Sequence, residues 1–301
     1  MLFAFTDMRY SLRQLEVFLA VAQHESVSQA AKGLAMSQSA VSGALADLER
    51  QFDVHLFERV GKRLHLSSLG RSVRARAEAV HEQARELEDE LASREARGVL
   101  RLGATLSIGN HLMGPEIARF MQAHESARIT LHVANTAEIA RKVLNFEIDI
   151  GLIEGELAEP ELEVNRFRPD ELVVFCAPNH PLAKKRALTD RDLVQATWVV
   201  REPGSGTRQA FERAMHGLLA ELRIVLELQH TEAIRSAVEA GLGLGCVSRI
   251  ALKDAFAQGS LRPCAVPGRD FRRWFYTVLH KQKYPSRAVL SFLAQIKGAR
   301  R

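Results

Sequence analysis

Residues 37–49 read Ser-Gln-Ser-Ala-Val-Ser-Gly-Ala-Leu-Ala-Asp-Leu-Glu. Ser37 has the side chain of an N-cap, able to accept a hydrogen bond from an orphan amide of a first helical turn. Val41, Ala44, Leu45 and Leu48 then recur at helical spacing on one face, and Gln38, Ser39 and Ser42 fall on the other. Two earlier stretches carry the same start signal. Ser11 with Gln14 precedes the periodic set Leu15, Phe18, Leu19 and Ala22, and Ser26 with Gln29 opens a short stretch lined by Val27, Ala30, Ala31 and Leu34. The alanines permit close packing, and Gly33-Leu34-Ala35-Met36 makes a tight turn before Ser37. Short helices so joined predict a helix-turn-helix.

Short hydrogen-bonding side chains at the N-terminus of the third helix are placed as a recognition helix places them against base edges and phosphates. Taken alone, this face is equally readable as solvated surface, and the next segment decides. Residues 56–66 alternate apolar and polar about Gly61, as a β-hairpin wing does, with Arg59, Lys62 and Arg63 at its tip. Residues 50–76 hold seven Lys and Arg against Asp53 and Glu58, whereas residues 1–49 hold more acids than bases. Positive charge is thus concentrated where a wing would lie on a phosphate backbone. The candidate DNA-contacting residues are Ser37, Gln38, Ser39, Ser42, Arg59, Lys62 and Arg63.

The motifs Leu12-Arg13-Gln14-Leu15, Ser26-x-Ser28-x-Ala30-Ala31, Ser37 to Ser42 with Leu48-Glu49, Leu56-Phe57-x-Arg59 and Leu66-Ser67-x-x-Gly70 occur in order over about 65 residues. In this the chain resembles the LysR-type transcriptional regulators. It departs at Ser39, where the family commonly has proline; serine also suits an early helical turn. The resemblance implies a regulator that binds double-stranded DNA at an interrupted inverted repeat and acts on RNA polymerase from the bacterial cytoplasm, in association with the nucleoid.

From Ser67 to Gly98 the only helix-breaking residue before the end is Gly70, and Leu69, Val73, Ala77, Val80, Ala84, Leu87 and Leu91 recur at spacings of four and three. This predicts a helix of about 28 residues and about 42 Å with a heptad seam. The seam needs a partner. It can pack on its own chain, or, as the resemblance implies, on a second copy in an antiparallel homodimer, with a homotetramer as the working form.

Beyond Val99, short apolar runs alternate with helical patterns: 99–104, 117–121, 129–133, 139–144 and 148–153, then 171–177, 198–201, 211–220, 224–228, 234–240 and 245–248. Such alternation predicts α/β layers about a mostly parallel sheet, repeated in two similar lobes. The resemblance implies a two-lobed, periplasmic-binding-protein-like effector domain, with crossover strands near 163–169 and 264–269. The expected fold is therefore α/β with an α-rich N-terminal domain. A winged helix-turn-helix occupies 8–67, a linker helix 68–97 and the effector domain 98–301, with lobe 1 about 98–166 and 270–301 and lobe 2 about 167–269.

Ligands in open α/β sheets bind beyond the carboxyl ends of strands. Two turns stand there: Thr105-Leu106-Ser107-Ile108-Gly109, before a helix expected near Pro115, and residues 201–208 after the strand 198–200. Their glycines, hydroxyls and arginine suit a small anionic metabolite, although serine and threonine also cap ordinary helices. Thr105, Ser107, Arg201, Ser205, Gly206 and Thr207 are the candidate effector residues, with Thr231 and Glu154 added on their positions at the start of a helix and the end of a strand. Residues 204–208 resemble the sulfur-metabolism and carbon-fixation regulators of the family, whose effectors are small anions or phosphorylated metabolites.

Other classes fit poorly. The 301 residues exceed one core, and the net charge of +5 favours polyanions. Cys176, Cys246 and Cys264 are odd in number and lack any C-x-x-C pair, arguing for a reducing compartment and against a thiolate zinc site. No run of about 18 apolar residues appears, so no membrane span is expected. Gly241 to Gly245 imitates a dinucleotide loop but precedes a strand, Ser205 lies in no nucleophile elbow, and the eleven histidines form no ligand pair. No catalytic residue, metal or cofactor is expected. An architectural DNA-binding protein would not need the 200-residue α/β portion.

Overall fold

The structure is a computed structural model describing residues 8–60, 63–91, 99–125 and 127–298. Residues 1–7, Lys62 and residues 92–98 lie outside the described residues, as does the side chain of Arg63. The chain divides into two compact units: the residues before Val99 together with Gln282–Arg287, and those from Val99 to Lys281 together with Ala288 onward.

The first unit begins with α1 (Leu12–His24), α2 (Val27–Gly33) and α3 (Gln38–Phe52). Ser11 and Gln14 form a reciprocal capping box, and the Ser26 and Ser37 side chains accept from the third amide beyond them. Val17, Val21, Ala30, Ala31, Val41 and Leu45 form the core shared by the three helices. The turn between α2 and α3 is closed by the Met36 amide donating to the Ala31 carbonyl, 2.9 Å, and its left-handed residue is Ala35, φ 52°, not the neighbouring glycine. The wing is the antiparallel pair β1 (Phe57–Val60) and β2 (Arg63–Leu66).

Helix α4 (Ser68–Leu91) follows directly. Ser67 accounts for its start: its Oγ accepts from the Gly70 amide and donates to the His55 carbonyl. A Cβ on Gly70 would stand 2.2 Å from the Leu56 carbonyl oxygen, so the Ser67-x-x-Gly70 motif is a close docking of helix on wing. The expected single seam is split. Val73 and Ala77 pack with Leu15, Phe18 and Leu19 of α1, whereas Leu69, Val80, Leu87 and Leu91 are exposed. The reason lies in the spacing. Two successive steps of four, 69 to 73 to 77, overshoot a helical turn and carry those residues round onto α1, and the three-four alternation that holds a face constant begins only at Ala77.

The second unit repeats one pattern twice. In the first half β3 (Val99–Ala104), α5 (Leu106–His111), α6 (Met113–Ala123), β4 (Arg128–Val133), α7 (Thr136–Leu144) and β5 (Ile150–Glu154) give parallel strands in the order β4-β3-β5. Strand β6 (Leu162–Cys176) crosses to the second half and leads to α8 (Asp190–Gln195). There β7 (Thr197–Arg201), α9 (Gly206–Ala214), β8 (Arg223–Leu228), α10 (Thr231–Glu239) and β9 (Leu244–Ser248) give the order β8-β7-β9. Central β5 and β9 are buried throughout and read as unbroken apolar runs, while outer β4 and β8 alternate. After α11 (Lys253–Gln258), β10 (Arg262–Cys264) and β11 (Arg272–His280) both pair antiparallel with β6, and α12 (Arg287–Gly298) closes the chain. The return crossover is thus β11. The stretch 264–269 expected in that role is mostly a loop, because Pro267-Gly268 cannot continue a ladder. The helix expected near Pro115 begins earlier, at Met113, with α5 ahead of it.

Candidate functional site

The first candidate surface is the N-terminal turn of α3. Ser37, Gln38, Ser39 and Ser42 are all exposed. Ser37 is committed to capping, accepting from the Ala40 amide at 3.1 Å, and its Oγ lies 3.0 Å from that of Ser39. Gln38 and Ser42 stand clear beside them. Glu49, in the last turn of the same helix, accepts from the Leu56 and Phe57 amides at 2.6 and 3.3 Å and so fixes the wing to the recognition helix. Arg59 is exposed on β1.

The second candidate lies where the carboxyl ends of both parallel triplets converge. Thr105 and Glu154 end adjoining strands β3 and β5, at the point where strand order reverses. Ser205 and Thr231 hold the matching helix starts of the other half. All eight residues named from sequence are fully or nearly fully buried, though not all are equally available. Ser205 Oγ accepts from the Thr207 and Arg208 amides. Arg201 gives its guanidinium to Glu202 at 2.7 and 2.9 Å, and Glu202 accepts in turn from Asn135 of the first half at 3.2 Å. A Cβ on Gly206 would sit 1.8 Å from the Glu154 carbonyl oxygen, so glycine is required by close approach of the two halves.

The carboxylate of Glu154 occupies the middle. One oxygen accepts from the Ser107 amide at 2.9 Å; the other accepts from Thr207 Oγ1 at 2.6 Å and meets Arg273 Nη1 at 2.8 Å. Arg273 extends from β11 and turns its Nε to Asp170 at 2.7 Å, while Ser248 Oγ donates to the same aspartate. Burial alone would raise the Glu154 pKa, but the charge of Arg273, the hydrogen bonds from Thr207 and Ser107 and the charge of Arg201 together hold it down to about 2. The anion-binding turn of the second half is therefore filled by the chain's own carboxylate.

Four buried polar atoms around this carboxylate have no hydrogen-bond partner among the described residues: Thr105 Oγ1, Ser107 Oγ, Thr231 Oγ1 and Arg273 Nη2. An unpaired buried polar group costs about 1–3 kcal/mol, so four on converging elements need an explanation. Sequence reading missed Arg273, Asp170 and Ser248. Alternation in 272–280 was the available signal, since it turns Arg272 outward and Arg273 inward. Among the described residues no group of three or more His, Cys, Asp or Glu could hold a metal, and no helix is long and apolar enough to cross a membrane.

Two family models match the chain: the bacterial regulatory helix-turn-helix protein, lysR family, over residues 12–71, and the LysR substrate binding domain over residues 93–301. The chain is 42% identical over 286 residues to an uncharacterized HTH-type transcriptional regulator, YeiE, of Escherichia coli (strain K12), covering 95% of this chain and 97% of that protein. It is 36% identical over 287 residues to the RuBisCO operon transcriptional regulator of Allochromatium vinosum, covering 95% of each. The Synechocystis PCC6803 CcmR regulatory domain, solved in complex with 2-PG, superposes with a TM-score of 0.63 at 27% identity, covering 67% of this chain and 97% of that one.

Proposed function

The chain belongs to the LysR family of transcriptional regulators, and from that premise we propose that a small oxyanion metabolite, held beside Glu154, adjusts how its winged helix-turn-helix engages an interrupted inverted repeat. The observation that carries the ligand reading is the set of four unpaired buried polar atoms on Thr105, Ser107, Thr231 and Arg273. Three hydroxyls and a guanidinium N–H can all donate, which matches a ligand rich in acceptor oxygens. Glu154 opposes it by charge, since Arg273 already balances only one of the two carboxylates it touches. The oxyanion must therefore be small and make most of its bonds to these donors. By touching both halves it favours one arrangement of the lobes, and regulation follows only to the extent of that differential affinity.

On the DNA side, Gln38, Ser39 and Ser42 read bases while Arg59, Lys62 and Arg63 grip phosphates. The exposed Val80, Leu87 and Leu91 of α4 pair with a second copy, which presents two wings to one cytoplasmic duplex and carries the signal to RNA polymerase. The test is calorimetric titration of the full chain with sulfate, sulfite, phosphate, O-acetylserine, 2-PG and sugar phosphates. At least one small oxyanion should bind, and Ser107→Ala should weaken it about tenfold, the worth of one charge-assisted bond. Binding of uncharged ligands only, undiminished in Ser107→Ala and Thr105→Val, would overturn the oxyanion reading and leave the family assignment intact.

A further inference from the structure

Cys176 and Cys264 lie 88 residues apart in sequence, yet their Sγ atoms stand 3.5 Å from each other. The strands make the meeting obligatory. Cys176 ends β6, Cys264 ends β10, and the antiparallel register sets Cys176 opposite Arg262 and Cys264 opposite Val174, so the cysteines are diagonal neighbours on one face. Both side chains belong to the apolar core of the second half. A groove of about 630 Å³, lined by Cys264, Val174, Val266, Phe271, Glu171 and Arg249 among others, runs along this junction and reaches Cys264 from solvent. The third cysteine, Cys246 on β9, is 2% exposed and does not line the groove.

We propose that Cys176 and Cys264 are a peroxide-oxidisable thiol pair that closes to an intramolecular disulfide. A hydroperoxide entering by the groove is attacked by the Cys264 thiolate. The O–O bond breaks, water or an alcohol leaves, and Cys264 becomes a sulfenic acid. The Cys176 sulfur then attacks it, the S–S bond forms as the S–O bond breaks, and the departing hydroxide takes the Cys176 proton as water. The two thiols lose two electrons and two protons, and the peroxide gains them; a dithiol reverses the step by exchange. The hydrogen bond between the sulfurs favours the first ionisation of the pair, drawing Cys176 below the usual thiol range, whereas burial pushes the Cys246 thiol up. Reaching a bonded separation of about 2.05 Å requires a closure of about 1.5 Å. Strand β10 has three residues and continues into the loop before β11, so it can supply the movement.

The test is treatment of the full chain with equimolar hydrogen peroxide, then denaturation, alkylation of the remaining thiols and peptide mapping. A Cys176–Cys264 cross-linked peptide should appear, with loss of two hydrogens from the monomer mass and one alkylated thiol, at Cys246. Cys246→Ser should give the same cross-link with no alkylated thiol, and Cys176→Ser should stop at the sulfenic acid on Cys264, trapped by dimedone. Three alkylated thiols after peroxide, a cross-link involving Cys246, or a cross-link only between chains would each overturn the proposal. The wild-type map decides even if a variant fails to fold.

Discussion

The turn from β3 into α5 and the turn from β7 into α9 hold the same place in two copies of one strand-turn-helix design, yet they have been put to opposite uses. Around Ser205 to Thr207 every polar group is spoken for: Ser205 caps its helix, Thr207 donates to Glu154, and Gly206 presses on the Glu154 carbonyl. Around Thr105 to Ser107 both hydroxyls are buried and unpaired. The second turn therefore ties the halves together and the first is reserved for a ligand. A repeated motif does not bind in both of its copies merely because it could.

The largest blow to this division should come from Arg273. Arg273→Ala leaves Glu154 and Asp170 buried without their shared cation, and loss of one partner of a buried pair costs about 3–5 kcal/mol. Urea unfolding should show this at pH 7. The loss should shrink under acid, because Glu154, held to about 2 in the folded chain against 4.5 in the unfolded one, supplies stability that is full above pH 4.5 and fades as pH falls towards 2. A variant equally destabilised at pH 3 and pH 7 would mean that Arg273 acts through packing alone.

Gly206→Ala comes next. Its new methyl has backbone in the way, so the two halves must part or the strand end must shift, at about 3 kcal/mol. That corresponds to a fall in Tm of about 6–12 °C for a unit of this size. Gly114→Ala, with nothing within 4 Å of the new methyl, is the control and should leave Tm unchanged. The smallest effect is the most discriminating. Thr207→Val should cost about 1–3 kcal/mol of stability, because it strips a buried carboxylate of a donor. Ser107→Ala should cost none in the ligand-free chain, since its hydroxyl makes no bond to lose. Equal losses in the two would erase the contrast between the turns.

The helix-turn-helix, the wing and the alternating layers could be read from the chain because each rests on local chemistry, such as a capping serine or an alternation about a glycine. The turns could be located for the same reason. Their state of occupation could not. Glu154 is 53 residues from Thr207, and Arg273 is 103 residues from Asp170; these pairings exist only after β6 and β11 have crossed side by side. An Arg-Arg pair in a late strand reads as surface until the register shows which of the two points inward. The return strand was misplaced because the apolar residues around Pro267-Gly268 outweighed the break that those two residues impose. The divided seam of α4 could have been seen, since the doubled step of four is written in the spacing of Leu69, Val73 and Ala77.

That division gives α4 the character of a surveyor's rod. Its first turns are clamped to the wing by Ser67 and Gly70 and to α1 by Val73 and Ala77, so rod and reading head turn as one rigid piece. Its 24 residues measure about 36 Å, close to the single helical pitch of about 34–36 Å that separates adjacent half-sites on a duplex. A swing of about 10° at the clamped end would carry the far end through roughly 6 Å. Spacing between half-sites is thus gauged by the length and set of a shaft, and one methyl group on Gly70, at the collar where it is fastened, would put the instrument out of true for every operator at once.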